Sequence, residues 1–248
     1  MNAVAQTKLI VDKVFLTWSQ SFLFLSAIIL VVVLPESTEI SRASSAPGMA
    51  SFFPYLSVML IAIYAINFGQ TQADPGRPWR YHFGMKLWPH AFQLSIRLSL
   101  LLLLSLPLWL IFYDLFHLPW SSAIALLYLW LQAQMWGWFG LWLNLSGMAE
   151  INQFKIKYLI LLGFFILTLT VPMLSPFVIL EQLLSPQMFA GAWYHFLVGI
   201  GFTLLWIIVL GWMILRRARK KEASQQTAAI QVETPPEETD SSESSDVG

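Results

Sequence analysis

Residues 96–116 read "IRLSLLLLLSLPLWLIFYDLF", and this run decides the class of the protein. Between Arg97 and Asp114 no side chain carries a charge. A helix over such a stretch is about 30 Å long, the thickness of a bilayer's hydrocarbon core. Five comparable runs flank it, at about Phe15–Leu34, Phe52–Gly69, Trp120–Leu145, Tyr158–Leu180 and Tyr194–Leu215. Composition agrees: of 248 residues, 57% are hydrophobic and only 11% charged, too few charges to cover a soluble surface. The expected fold is therefore an all-α polytopic membrane protein with six transmembrane helices. The first run is too long for a signal-peptide core and is followed by no small-x-small cleavage site, so it reads as a retained helix. There is no cysteine, which excludes disulfides and thiolate metal sites.

Pro54, Pro107, Pro172 and Pro176 fall inside the predicted spans, where each can kink or shorten a helix. The least regular region is "VPMLSPFVILEQLLSPQM", 171–188, which reads as a broken helix with a re-entrant or surface piece before the last span. Cationic residues fix the orientation. Six crossings place thirteen of the fourteen Lys and Arg on the side of both termini, including the run "RRARKK" at 216–221, and leave Arg42 alone opposite. Both termini are expected in the cytoplasm. Residues 1–221 form the predicted membrane domain. Residues 222–248 carry seven acids and no basic residue, and are expected to be a disordered acidic cytoplasmic tail.

Chemistry is sparse along this chain. His82, His90, His117 and His195 lie near predicted interfaces and form no metal-binding pair, and no GxxxxGK[ST] phosphate loop occurs. Neither an enzyme nor a cofactor site is expected, and nothing points to nucleic acid. Asp114 and Glu181 stand near the outer ends of spans rather than at depth, which argues against ion coupling. "LVGIGF", with Gly199 and Gly201, reads as a place for close helix packing. Polar side chains within spans are Asn67, Gln70, Gln132, Gln134 and Asn144. They either bond neighbouring helices, at about 1 kcal/mol each, or line a path; the first is the simpler reading. Trp130 and Trp136 sit deeper than an interfacial belt requires, and plain packing is the default for them.

One break in the apolar pattern stands apart. Residues 70–97, "QTQADPGRPWRYHFGMKLWPHAFQLSIR", join the second and third spans on the cytoplasmic side. Pro75 and Gly76 end one helix, Pro78 can open another, and Trp79 to Lys86 make a short amphipathic helix for the interface. Pro89 separates it from the third span, whose entrance Arg97 marks by snorkelling to headgroups. Two readings stay open: an anchor that sets the depth of the third span, or a lever worked by a cytoplasmic protein.

The layout resembles the ABC-2 class of ABC transporter permeases. The stretches that carry the likeness are "YAINFGQTQADPGRPWRYHFGMKLWP", "LSLLLLLSLPLWLIFYDLFHLP", "WGWFGLWLNLSGMAEINQFKIKYLILLGFF" and "VPMLSPFVILEQLLSP", and the resemblance of layout covers about residues 10–215. The acidic segment usual after the second span is replaced by "QADPGRPWR", with Asp74 alone. The resemblance implies an inner-membrane permease subunit of an ATP-driven exporter, working with a separate ABC ATPase subunit and a second permease chain among membrane lipids. It implies ATPase contact through a coupling helix bearing Arg77, Trp79, Arg80, Tyr81, Phe83 and Lys86, with a secondary contact around Glu150, Lys155 and Lys157. The competing expectation is a non-transporting assembly or anchoring subunit of a larger complex.

Overall fold

The structure, a computed structural model, describes residues 12–40, 52–72, 87–115, 118, 123–184 and 193–233. Among these it is wholly helical, with no strand. In chain order the helices are α1 (Lys13–Ile40), α2 (Phe52–Gln72), α3 (Leu87–Leu115), α4 (Ile124–Leu145), α5 (Glu150–Thr170), α6 (Pro176–Leu184) and α7 (Trp193–Glu233). Five of them, α1, α2, α3, α5 and α7, are long and apolar enough to cross a membrane. The chain is a multi-pass, all-helical membrane protein. The six ATPase-contact residues of the sequence reading, Arg77, Trp79, Arg80, Tyr81, Phe83 and Lys86, lie outside the described residues.

α4 is the buried centre. It is 22 residues long and carries two glutamines, two glycines and four tryptophans. From Leu131 to Gly137 every side chain is buried. α2 packs along α4 more extensively than any other pair, and α7 covers another side. Glycine makes the α2–α4 contact possible. A Cβ on Gly140 would lie 2.8 Å from the Ile66 carbonyl carbon and 3.0 Å from the Gln70 nitrogen. One on Gly69 would lie 2.6 Å from the Leu141 nitrogen and closer still to the Gly137 carbonyl oxygen. The two backbones touch, the approach that small residues permit between membrane helices. Gly199 of α7 likewise abuts the Ile179 side chain, whereas Gly201 faces open space, so close packing holds for only one of the two glycines of "LVGIGF".

The tryptophans of α4 are packing residues. Trp136 is buried edge-on against Phe164 of α5, and Trp130 Nε1 donates to Ser99 Oγ of α3 at 2.9 Å. α1 joins the core through Phe22, which meets Tyr64 of α2, and through Ser21, whose hydroxyl is 2.6 Å from that of Tyr64. Outward faces of α5 and α7, such as Leu159, Leu162, Leu197 and Ile208, are exposed and apolar, as surfaces among acyl chains must be.

Several boundaries move. α5 begins at Glu150 rather than near Tyr158 and stops at Thr170 rather than Leu180. Proline is the cause. Val171 and Ser175 each precede a proline and take extended or intermediate backbone angles, because the following ring disfavours the helical region. A 3₁₀ turn over Pro172–Leu174 separates the two breaks. α6 then starts on Pro176, whose missing N–H is harmless in a first turn, while Ser175 Oγ accepts the Val178 N–H at 3.4 Å. Its apolar face, Ile179, Leu180, Leu183 and Leu184, is buried. The irregular region before the last span is thus a broken helix, as its sequence suggests.

Pro89 does not interrupt the chain. It occupies the first turn of α3, which starts at Leu87, again where no backbone bond is lost. α7 is 41 residues long and continues through 222–233, the beginning of the segment read as a disordered tail. Alanine, glutamine and glutamate predominate there, all residues that favour helix.

Candidate functional site

The C-terminal end of α2 gathers a cluster of polar side chains, of which Gln72, Gln93, Arg97 and Lys157 are buried. A helix ending leaves its last carbonyls without intrahelical partners and carries partial negative charge. Here the amide of Asn144, from α4, donates its Nδ2 hydrogen to the Gln70 carbonyl. Lys157, from α5, donates to Asn67 Oδ1 and, at 3.2 Å, to Gln70 Oε1. Its side chain is buried, with the ammonium held by the polar end of α2.

On the other side of α2, Gln72 continues the network. Its Nε2 donates to Gln93 Oε1 of α3 at 3.0 Å, and Arg97 Nη1 donates to Gln72 Oε1 at 3.3 Å. The second Arg97 nitrogen, Nη2, lies 3.4 Å from Asp12 Oδ2. Asp12 caps α1 by accepting the Phe15 N–H at 2.7 Å, and the Arg97 guanidinium stands 5.9 Å from the centre of the Phe15 ring. Arg97 is only 1% exposed and its carboxylate partner 13%. It does not snorkel. Buried charges are tolerable only when paired and hydrogen-bonded, and Arg97 is both.

This cluster sorts the sequence candidates. Asn67, Gln70, Asn144 and Lys157 converge in it. Glu150 and Lys155 are exposed near the start of α5. Lys155 and Lys157 differ because residues two apart on a helix point to opposite sides. Gln132 belongs to a second cluster: its Nε2 donates to Tyr128 Oη at 3.0 Å and to Thr203 Oγ1 of α7 at 3.2 Å. Gln134 is buried on α4 away from both groups, its Nε2 without a hydrogen bond. No sequence motif groups Asp12, Gln72, Gln93 and Arg97. Gln93 and Arg97 are four apart in an otherwise apolar helix, and so share a face; that spacing was the available signal.

Among the described residues, two apolar cavities border the bundle. One, of about 450 Å³, lies between Tyr55, Leu56 and Met59 of α2 and the broken region around Pro172 and Phe177. Tyr55 Oη donates to Glu181 Oε2 at 2.7 Å and so ties α2 to α6. The second, of about 350 Å³, lies beside the middle of α7. Among the described residues no three His, Asp or Glu side chains gather in a metal-binding group. No protein-family model matches the chain, and neither does any curated protein or solved structure.

Proposed function

We propose that this chain is the membrane-spanning permease subunit of an ATP-driven transporter, an exporter powered by a separate ABC ATPase and paired with a second permease chain. One observation carries the reading: both flanks of residues 73–86 are fastened into the bundle by buried polar contacts. α2 ends at Gln72 and α3 begins at Leu87. Gln72 bonds Gln93 and Arg97 across that gap, while Asn144 and Lys157 bring α4 and α5 to the same end of α2. A push on the intervening segment would reach four helices at once. An anchor that merely sets the depth of α3 needs no such connections.

In this reading Arg77, Trp79, Arg80, Tyr81, Phe83 and Lys86 meet the ATPase on the cytoplasmic side of the inner membrane. Affinity purification of the full chain from its native host is expected to recover an ATPase with a GxxxxGK[ST] phosphate loop. The double change Arg80→Glu and Lys86→Glu is expected to cut that recovery, and the stimulated ATP hydrolysis, about tenfold or more, because like charges facing each other cost several kcal/mol. Unchanged recovery and hydrolysis would refute the lever. Consistent recovery of membrane partners with no ATPase would favour the anchoring subunit instead.

α4 is proposed as the sixth crossing. Its 22 residues reach about 33 Å, and its polar groups are covered by other helices rather than by lipid. The chain has no cysteine, so single cysteines report topology without background. Ala123→Cys is expected to react with a membrane-impermeant maleimide from outside intact cells, and Glu150→Cys only after permeabilisation. Labelling of both from one side would remove the sixth span and, with it, the cytoplasmic placement of both termini.

A further inference from the structure

We propose that the groove beside the middle of α7 binds one anionic phospholipid, with an acyl chain along its apolar wall and the headgroup phosphate on Arg216 and Arg217. The groove is the 350 Å³ cavity, lined by Ala91 of α3, Trp138 of α4, and Ile207, Ile208, Trp212 and Leu215 of α7. Its wall offers nearly nothing polar. Where the apolar side chains end, two arginines follow directly in the sequence.

Each arginine stands against a tryptophan, Arg216 against one in the wall and Arg217 against one on α4 beside it. The Arg216 guanidinium lies 5.4 Å from the centre of the Trp212 ring, a wall residue. The Arg217 guanidinium lies 4.8 Å from the Trp142 ring, one turn beyond Trp138 on α4. Cation–π contact fixes where the charge sits but leaves the N–H groups unbonded. Arg217 Nη1 is buried with no hydrogen-bond acceptor, and among the described residues no acidic side chain pairs with either arginine. A buried guanidinium nitrogen lacking an acceptor is costly. A phosphate supplies oxygens in the geometry guanidinium prefers.

Charge also argues against a second copy on this face. In a symmetric pair with parallel α7 helices, Arg216 and Arg217 of each chain would approach their own counterparts. Like charges would meet with nothing between them. An amphiphile with an apolar tail and an anionic head matches the groove in both halves. The inference is independent of whether the bundle transports anything.

Native mass spectrometry of the full chain tests it, after purification with equal amounts of dioleoyl phosphatidylglycerol and dioleoyl phosphatidylcholine. The unmodified chain is expected to retain one phosphatidylglycerol with about tenfold preference. Arg216→Gln, at an exposed position, should reduce that preference severalfold. Ile208→Trp, also exposed and filling the groove, should abolish retention of either lipid, with the thermal midpoint of the chain unchanged in both variants. Equal retention of the two lipids, or retention unaltered by both changes, would overturn the assignment. So would efficient disulfide cross-linking of Ile208→Cys between chains in phosphatidylglycerol vesicles, since a second copy would then occupy the face.

Discussion

A Gly140→Leu chain is expected to lose its folded bundle. At this position α4 meets α2 backbone to backbone, and even a methyl group would sit 2.8 Å from the Ile66 carbonyl carbon. Overfilling a packed interior typically costs about 1–3 kcal/mol, where flexible side chains can give way. Here the obstacle is main chain, so the cost should lie at the top of that range or above it. Gly69→Leu should behave alike, because its neighbours are the backbones of Gly137 and Leu141. Gly163→Leu and Gly201→Leu are the controls. Both glycines face open space, and replacing glycine within a helix gains up to about 1 kcal/mol of helix propensity. Thermal unfolding in detergent, followed by tryptophan fluorescence, should show the first pair collapsing and the second pair melting no lower than the parent. Normal melting of Gly140→Leu would mean that α2 and α4 do not touch in this way.

The second large effect concerns Arg97. Arg97→Met keeps much of the side chain's length and apolar bulk but takes the guanidinium away from the Asp12 carboxylate and the Gln72 side-chain oxygen, both of which it now faces. Removing one member of a buried ion pair costs about 3–5 kcal/mol, because the remaining charge loses its compensation. Asp12→Asn should cost a comparable amount: the amide oxygen can still cap α1, but the Arg97 guanidinium, the more deeply buried of the two charges, loses that carboxylate. The double variant is the decisive measurement. If the pair is coupled, Arg97→Met with Asp12→Asn should melt higher than Arg97→Met alone, which independent sites would not do. Additive losses would show that Arg97 matters through packing against Phe15 and not through its charge.

The membrane class was legible in the sequence because uncharged apolar runs of bilayer length rarely serve any purpose but crossing lipid. Side-chain partners were harder to read, for identifiable reasons. An apolar run that begins at Tyr158 leaves Lys157 before the span, yet α5 starts two turns earlier and carries the lysine into the bundle. Arg97 near a span's end suggested snorkelling; only the position of Asp12, far away in sequence, reveals its actual partner. Gly137 and Gly140 are three apart on one helix, a spacing visible in the sequence, but their counterpart Gly69 lies on another helix and has no local signature. Pro172 and Pro176, by contrast, act on their own neighbours, and the break they cause was evident without the fold.

Direct contact between the α2 and α4 backbones has a mechanical corollary. Helices separated by side chains can slide past one another as rotamers change, because the intervening groups act as bearings. At Gly69 and Gly140 there is no such layer, and the peptide planes themselves interlock. These two helices must therefore travel as a single strut. Any rearrangement of the membrane domain has to take its slip planes elsewhere, where side chains rather than main chain form the joint, as at Phe22 with Tyr64 and Trp136 with Phe164.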